Sequence, residues 1–461
     1  MSDYDVRIHG AKVYTPAGLV EADILIKGEK IAGIVGHDTP GQASKVINAK
    51  GKTVFPGIID MHCHTREPGY THKEDFYSAT QAAAAGGITV IVDQPNVEPP
   101  TIKVQDYLDK KALAEEKCIV DFGHILGVTQ PDQIEAAAKA GITMFKFFQV
   151  KGEYPHDPRL AINDDGEIYK VLKLVADTGL VCVVHPFNQS LFDAMSDEAF
   201  AAGDPPDHIT FSKIYTRDVI WRTCVSSLIN LQGETGARLH FFHTHSHGSL
   251  RMIREAKKNG QKVTADCDPK YFHLNKHDLD TKGPMCCPGG FIAEDKERMA
   301  EIWRSLEDGT MDCVSSDHAP HTIEEIEKQR ENAWIAAMGS PQYDHYMSIF
   351  LSDYHKGLIS LKTMVRILSE APAKILGLYP QKGAILPGSD ADLVIADMDY
   401  EFTVTNENLY TKVGWTPYAG WKMKGKPVLT MLRGTVIMEN GVVIGQRGFG
   451  RYIAGRPNPV Y

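Results

Sequence analysis

The chain lacks an excess of positive charge: 49 Lys and Arg stand against 59 Asp and Glu, a formal net charge of −10. With no global basic field to hold a phosphate backbone, a nucleic-acid partner is not expected. Any run of 18 apolar residues is missing too, which argues against a membrane-spanning helix and a membrane partner. The opening residues MSDYDVRIHG carry charge and no apolar core of the kind a secretory signal needs, so a cytoplasmic protein is expected. No CxxC motif occurs among the eight cysteines at positions 63, 118, 182, 224, 267, 286, 287 and 313. Apart from the adjacent Cys286 and Cys287 they are scattered through apolar segments, which predicts buried, reduced thiols. Proline is not enriched, at 25 of 461 residues, and a hydrophobic content of 43% with 23% charged residues excludes a disordered or collagen-like chain.

A length of 461 residues is about three times the usual 150-residue domain. One large domain and one smaller one fit best. Residues 1–55 read as short alternating strands with glycine-rich turns (DVRIHGAKVYT, EADILIKGEKIAGIVG, SKVINAKGKTVFPG), and the same texture returns after 385 in ADLVIADMD, PVLTMLRGTVIMENG and GVVIGQ. This predicts a small β-sandwich domain formed by both termini, 1–55 plus 385–461. Between them, eight apolar strand-like runs (TVFPGIIDMH, ITVIVDQ, IVDFGHIL, ITMFKFF, LVCVVH, RLHFFHTH, QKVTADC, MDCVSSD) alternate with helical patterns, several ending on glycine. Residues 56–384 are therefore expected to form an α/β fold of the TIM-type (β/α)8 barrel class, with its site at the C-terminal ends of the strands.

Polar residues stand at those strand ends. Residues two apart in a strand share a face, so His62 and His64 of Asp60-Met61-His62-Cys63-His64 present two imidazoles to one point. His185, His243 and Asp317 each close a later apolar run. So many polar groups at one rim would be costly to pack without an ion to satisfy them. Lys146 interrupts the otherwise apolar Met144-Phe145-Lys146-Phe147-Phe148. A free ammonium is expensive to bury there; the alternatives are a lysine reaching to the rim or a lysine of lowered pKa that adds CO2 and becomes a carbamate.

These segments resemble the cyclic amidohydrolases, the family of dihydroorotases, hydantoinases, dihydropyrimidinases and allantoinases. The resemblance runs in order from FPGIIDMHCH through AAAAGGITVIVDQPN, GITMFKFF, VVH, LHFFHTHS, VSSDHAPHT and APAKILGL to KGAILPGSDADLVIADMD and WTPYAGWKMKGKPVLTMLRGTVIMENG. It implies two divalent metal ions, most suitably zinc, with His62, His64 and Asp317 on one, His185 and His243 on the other, and Lys146, as N6-carboxylysine, bridging them. Two cations lower the pKa of a water and polarise a carbonyl, the chemistry needed to open a cyclic amide. Asp317 would be the catalytic base and then the acid toward the leaving ring nitrogen. His245 and His247 are expected behind the centre or at the surface. The resemblance also implies a small-molecule cyclic amide or ureide substrate and a homodimer or homotetramer.

For the ring itself, Arg66 in HTREPG, Asn96 in Gln94-Pro95-Asn96 and His321 in Asp317-His318-Ala319-Pro320-His321 match the positions at which dihydroorotases hold a substrate carboxylate. The expected reaction is the reversible opening of L-dihydroorotate to N-carbamoyl-L-aspartate, a step of pyrimidine metabolism. Three features depart from the family pattern. The run Phe147-Phe148-Gln149-Val150-Lys151-Gly152 lacks the tyrosine that hydantoinases and dihydropyrimidinases place soon after the lysine, His185 is followed by Pro186-Phe187-Asn188, and CCPGGFIAED replaces a PPLR-like stretch. Allantoinase, hydantoinase, carboxymethylhydantoinase and cyclic-imide hydrolase are the alternatives. A metal-free scaffold relative is the non-enzymatic one, and the filled ligand positions argue against it.

Overall fold

The computed structural model describes residues 3–150 and 157–457. At its centre lie eight parallel strands, Ile58–Cys63, Ile88–Asp93, Asp121–Gly127, Met144–Phe148, Val181–His185, Arg238–Phe241, Val263–Cys267 and Cys313–Val314, each hydrogen-bonded to the next in that order. Each coincides with one of the eight apolar runs, the first and third ending one residue beyond it at Cys63 and Gly127. The first three are buried at every position, which explains why they read as continuous apolar runs rather than alternating ones: helices cover one face and the barrel interior the other. The seam between the first and last strands closes just beyond the eighth strand, where Cys63 bridges to His318 and the His64 N–H donates to the His318 carbonyl at 2.7 Å. Asp60 reinforces it, its buried carboxylate accepting from Ser316 N at 2.9 Å, Ser316 Oγ at 2.6 Å and Tyr343 Oη at 2.7 Å.

The intervening helices include Phe76–Ala85, Ile134–Ala140, Asp165–Thr178, His247–Lys258 and Lys296–Asp308. Three of them stop at Gly141, Gly179 and Gly309, whose left-handed backbone (φ 93°, 69° and 79°) only glycine adopts without penalty. No helix among the described residues is long and apolar enough to cross a membrane. All eight cysteines are buried and free.

One expected strand divides in two. TVFPGIIDMH breaks at Gly57, where a Cβ would lie 2.3 Å from the Thr89 hydroxyl, and only its second half enters the barrel. The first half, Thr53–Pro56, pairs parallel with Tyr4–Thr15 and antiparallel with Leu393–Thr403. It thereby joins strands from both ends of the chain into one nine-stranded sheet with its own apolar core, including Ile8, Val13, Ile24, Val54, Leu393 and Met431.

A buried ionic cluster ties that sheet to the barrel. Lys382 Nζ lies 2.5 Å from Asp392, 2.8 Å from Asp121 and 3.2 Å from Asp390, and Arg433 pairs with Asp121 as well. Asp121 opens the third barrel strand, whereas Asp392 and Arg433 border terminal strands. Burial alone would lower the Lys382 pKa; Asp392 and Asp121 outweigh it and keep the ammonium charged. Removing the cation strands buried carboxylates, so Lys382→Met is expected to destabilise the protein by about 3–5 kcal/mol in denaturant unfolding. A loss below about 1 kcal/mol would show that the cluster does not hold the two parts together.

Candidate active site

The barrel gathers the predicted side chains at its C-terminal rim. His62, His64, Lys146, His185, His243 and Asp317 all line one recess, together with Arg66 and Asn96. His62 Nε2 and His64 Nε2 converge on Asp317 Oδ1 at 3.3 and 3.2 Å. The ring centroid of His243 lies 4.8 Å from that of His62 and 5.0 Å from that of His185. Burial drives His62 and His64 well below the ordinary histidine range, His64 to about 3, so both imidazoles are neutral and offer lone pairs. Asp317 is the reverse: although burial opposes ionisation, Lys270 and the surrounding imidazoles hold its carboxyl well below the usual range.

Lys146 sits inside the fourth strand, fully buried. Its Nζ donates to Gln94 Oε1 at 2.6 Å and lies 4.2 and 4.7 Å from the ring centroids of Phe148 and Phe242. No carboxylate pairs with it among the described residues, and desolvation lowers its pKa to about 7. Backbone strain concentrates here too. Arg66, His243 and Asp317 are three of the six described non-glycine residues with left-handed φ, at 64°, 58° and 44°. Such conformations are costly and persist where the surrounding structure fixes a side chain's direction.

On the substrate side, Arg66 donates from Nε to the Pro320 carbonyl at 3.0 Å, and its Nη2 lies 2.9 Å from His321 Nε2. His321 itself is fully buried behind the arginine and does not line the recess; its other nitrogen meets Lys73 Nζ at 3.2 Å. Asn96 does line the recess, and its Oδ1 has no hydrogen-bond partner. His245 is buried between Trp221 and Tyr271, with ring centroids 4.6 and 4.7 Å away, while His247 opens a helix 3.2 Å from Asp218. Both lie outside the recess. Of the departures from the family pattern, Lys151 and Gly152 fall outside the described residues, and Pro288 of the CCPGGF segment is a wall of the recess.

Two residues escaped the sequence reading. Lys270 pairs with Asp317 Oδ2 from the recess wall, and Asp268 Oδ2 lies 2.5 Å from His243 Nδ1. Burial disfavours the Lys270 charge, but Asp317 and Asp268 outweigh it and raise its pKa. Both follow directly on QKVTADC, the one barrel run among the last five to which no rim residue was assigned; a charged pair immediately after a buried strand was the available signal.

The donor set fits divalent cations. His62, His64 and Asp317 hold their ligand atoms within 4.8 Å of one another, as do His62, His243 and Asp268, and His62 Nδ1 is buried without a hydrogen-bond partner. Ligand separations of 3.2–3.3 Å match two donors sharing an ion at about 2.0–2.1 Å.

The amidohydrolase family profile matches residues 53–437. The chain belongs to the amidohydrolase family, in its cyclic amidohydrolase group. It is 31% identical to an L-hydantoinase of Paenarthrobacter aurescens, covering 98% of both chains. The identity is again 31% to an allantoinase of Deinococcus radiodurans (96% of this chain, 97% of the relative) and to a dihydroorotase of Methanosarcina acetivorans (98% and 96%). Among solved structures, the L-hydantoinase from Arthrobacter aurescens superposes with a TM-score of 0.92 at 31% identity, over 98% of this chain and all of that one. Amidohydrolases of this group take divalent metals, in line with the donor set.

Asp268 engages Nδ1 of His243 and thereby leaves Nε2 as the ligand atom. Loss of such an orienting carboxylate typically costs 10–100-fold in metal affinity. Asp268→Asn is expected to fall in that range by chelator competition, and unchanged affinity would remove Asp268 from the metal centre.

Proposed function

We propose that this cyclic amide hydrolase opens an acidic cyclic ureide, L-dihydroorotate, to its carbamoyl amino acid. The observation that carries this reading is Arg66, a guanidinium only 3% exposed that lines the recess beside Asn96. His321 and the Pro320 carbonyl hold it from behind, and a carboxylate on the ring would answer its charge. A neutral ring leaves that buried cation without a counter-charge, which opposes binding.

Bound divalent ions, zinc being well suited to this imidazole and carboxylate set, would supply a water of lowered pKa and polarise the scissile carbonyl. His62, His64 and Asp317 would hold one ion and His185 and His243 the other. Lys146, with a pKa near 7, has a neutral amine available at physiological pH. That amine would add CO2 with release of one proton, and the resulting carbamate would be a further ligand for the ions. Asp317 Oδ1 accepts a proton and delivers it to the departing ring nitrogen. Lys270, paired with Oδ2, keeps Asp317 ionised in the resting site. A homodimer or homotetramer, the arrangement expected from the resemblance, is checked by sedimentation.

A second reading, hydantoin hydrolysis, is favoured by the likeness to L-hydantoinase over the full chain. A substrate panel of dihydroorotate, allantoin, hydantoin, carboxymethylhydantoin, dihydrouracil and cyclic imides decides between the two. Dihydroorotate is expected to be the best substrate, and Arg66→Met to lose about 10²-fold or more in its kcat/KM. If dihydroorotate is inert and hydantoin turns over equally well in both proteins, the acidic-ring reading is wrong.

The chemistry has its own tests. Lys146→Ala is expected to lose metal and activity, with partial recovery on adding a short carboxylic acid; full activity without additive would exclude the carbamate. Asp317→Asn should reduce turnover by about 10²–10⁴, and a change of only a few-fold would assign the proton transfer to another group.

A further inference from the structure

A second cationic cleft lies on the catalytic face, outside the metal recess. It forms where the helix His208–Tyr215 ends and the helices Asp218–Thr235 and His247–Lys258 begin, an open cleft of about 440 Å³. Lys213, Arg217, Arg222 and Arg298 line it, with Asp218 as the only carboxylate in its wall. This is a local inversion in a chain of net charge −10.

Asp218 offsets one of the four cations, Arg222. Its Oδ1 is already taken by Ser246 Oγ at 2.7 Å and Gly248 N at 3.0 Å, and its Oδ2 lies 3.4 Å from Arg222. Lys213 and Arg217 are exposed and form no ion pair among the described residues. Arg298 is the decisive member. It is only 7% exposed, and its Nη1 donates to the Thr216 carbonyl at 2.7 Å. Its Nε has no hydrogen-bond partner among the described residues, and its ion pair with Asp295, at 3.7 Å, is too long for one. A buried guanidinium with an unused donor is costly, and an acceptor in the cleft removes that cost.

We propose that this cleft binds a phosphate-bearing anion, either inorganic phosphate or a phosphate monoester, at a site separate from the ring-binding recess. A tetrahedral oxyanion carrying close to two charges meets four cations in a way that a single carboxylate does not. The cleft and the recess draw on the same segments without sharing a lining residue: Thr216 follows the recess residue Tyr215, and Phe291 of the cleft lies in the same CCPGGF segment as the recess residue Pro288. Trp221, one turn into the helix that Arg217 caps, donates to the Tyr215 carbonyl at 2.7 Å and packs edge-on to His185 at 5.3 Å. Trp221 thereby links the helix that Arg217 caps to His185.

The test is calorimetric titration of the metal-loaded enzyme at low salt with inorganic phosphate and, separately, glycerol 3-phosphate. Saturable binding at one site per chain is expected, weakened about tenfold or more by Arg298→Met and by Arg217→Ala and unchanged in Arg66→Met. Arg217 is exposed, so its variant keeps the test valid if Arg298→Met does not fold. Tighter binding of glycerol 3-phosphate identifies a monoester as the ligand; equal affinities identify the free ion. The inference is overturned if no saturation occurs up to about 10 mM, or if the cleft variants bind as the parent does, which would put the anion at the metal centre. Neither outcome depends on which ring the enzyme opens.

Discussion

Everything at the rim depends on the seam that closes the barrel. His62 and His64 leave the first strand and Asp317 follows the eighth, so these three meet only because the two strands are locked edge to edge. The lock is polar and fully buried: Asp60 accepts from Ser316 and Tyr343, and His64 and Cys63 connect to His318. Burial raises the Asp60 pKa to about 7 despite these donors, an indication of how much desolvation the seam bears. His318 is stacked on Tyr343 at 4.0 Å and receives the Gln342 N–H at 3.1 Å, so the segment carrying Asp317 is clamped from both sides. A left-handed backbone at Asp317 is the local consequence of that clamp.

Within this frame the charges are arranged by opposition. Neutral imidazoles, an ionised Asp317, a lysine whose ammonium is destabilised and a second lysine whose ammonium is secured all share one small recess. Lys146 and Lys270 differ only in their partners: aromatic faces and an amide oxygen surround the first, while Asp317 and Asp268 face the second. Desolvation favours the neutral form of both, and nearby carboxylate charge reverses the outcome for one of them. The same residue type is thus a destabilised ammonium at one wall and a secured cation at another.

The terminal sheet is joined to the barrel by buried charge as well. Lys382 and Arg433 place buried cations among carboxylates from both bodies, a geometry that is costly to break and therefore holds them in one register. At the phosphate cleft the sign is inverted, with cations in excess of carboxylates and an arginine donor left over.

The sequence by itself determined the parallel eight-strand layout and eight of the side chains that line the recess, His62, His64, Arg66, Asn96, Lys146, His185, His243 and Asp317. Both rest on local regularities: apolar runs of strand length, glycine at helix ends, and polar residues at the point where each buried run stops. It also determined that strands from the two ends of the chain would form a unit outside the barrel. Only the tertiary structure decided which groups touch. Arg66 and His321 stand 255 residues apart in the chain, and His321 proves to lie behind the arginine rather than beside the ring. The roles of Asp268 and Lys270 depend on partners, His243 and Asp317, that follow other strands, so their place after a buried strand marked them without showing what they touch. The split of TVFPGIIDMH at Gly57 was equally hidden, since the steric reason is the Thr89 side chain on the neighbouring strand. Periodicity and composition act between neighbours in sequence, whereas ion pairing, desolvation and close packing act between neighbours in space, and these fix the chemistry of each group.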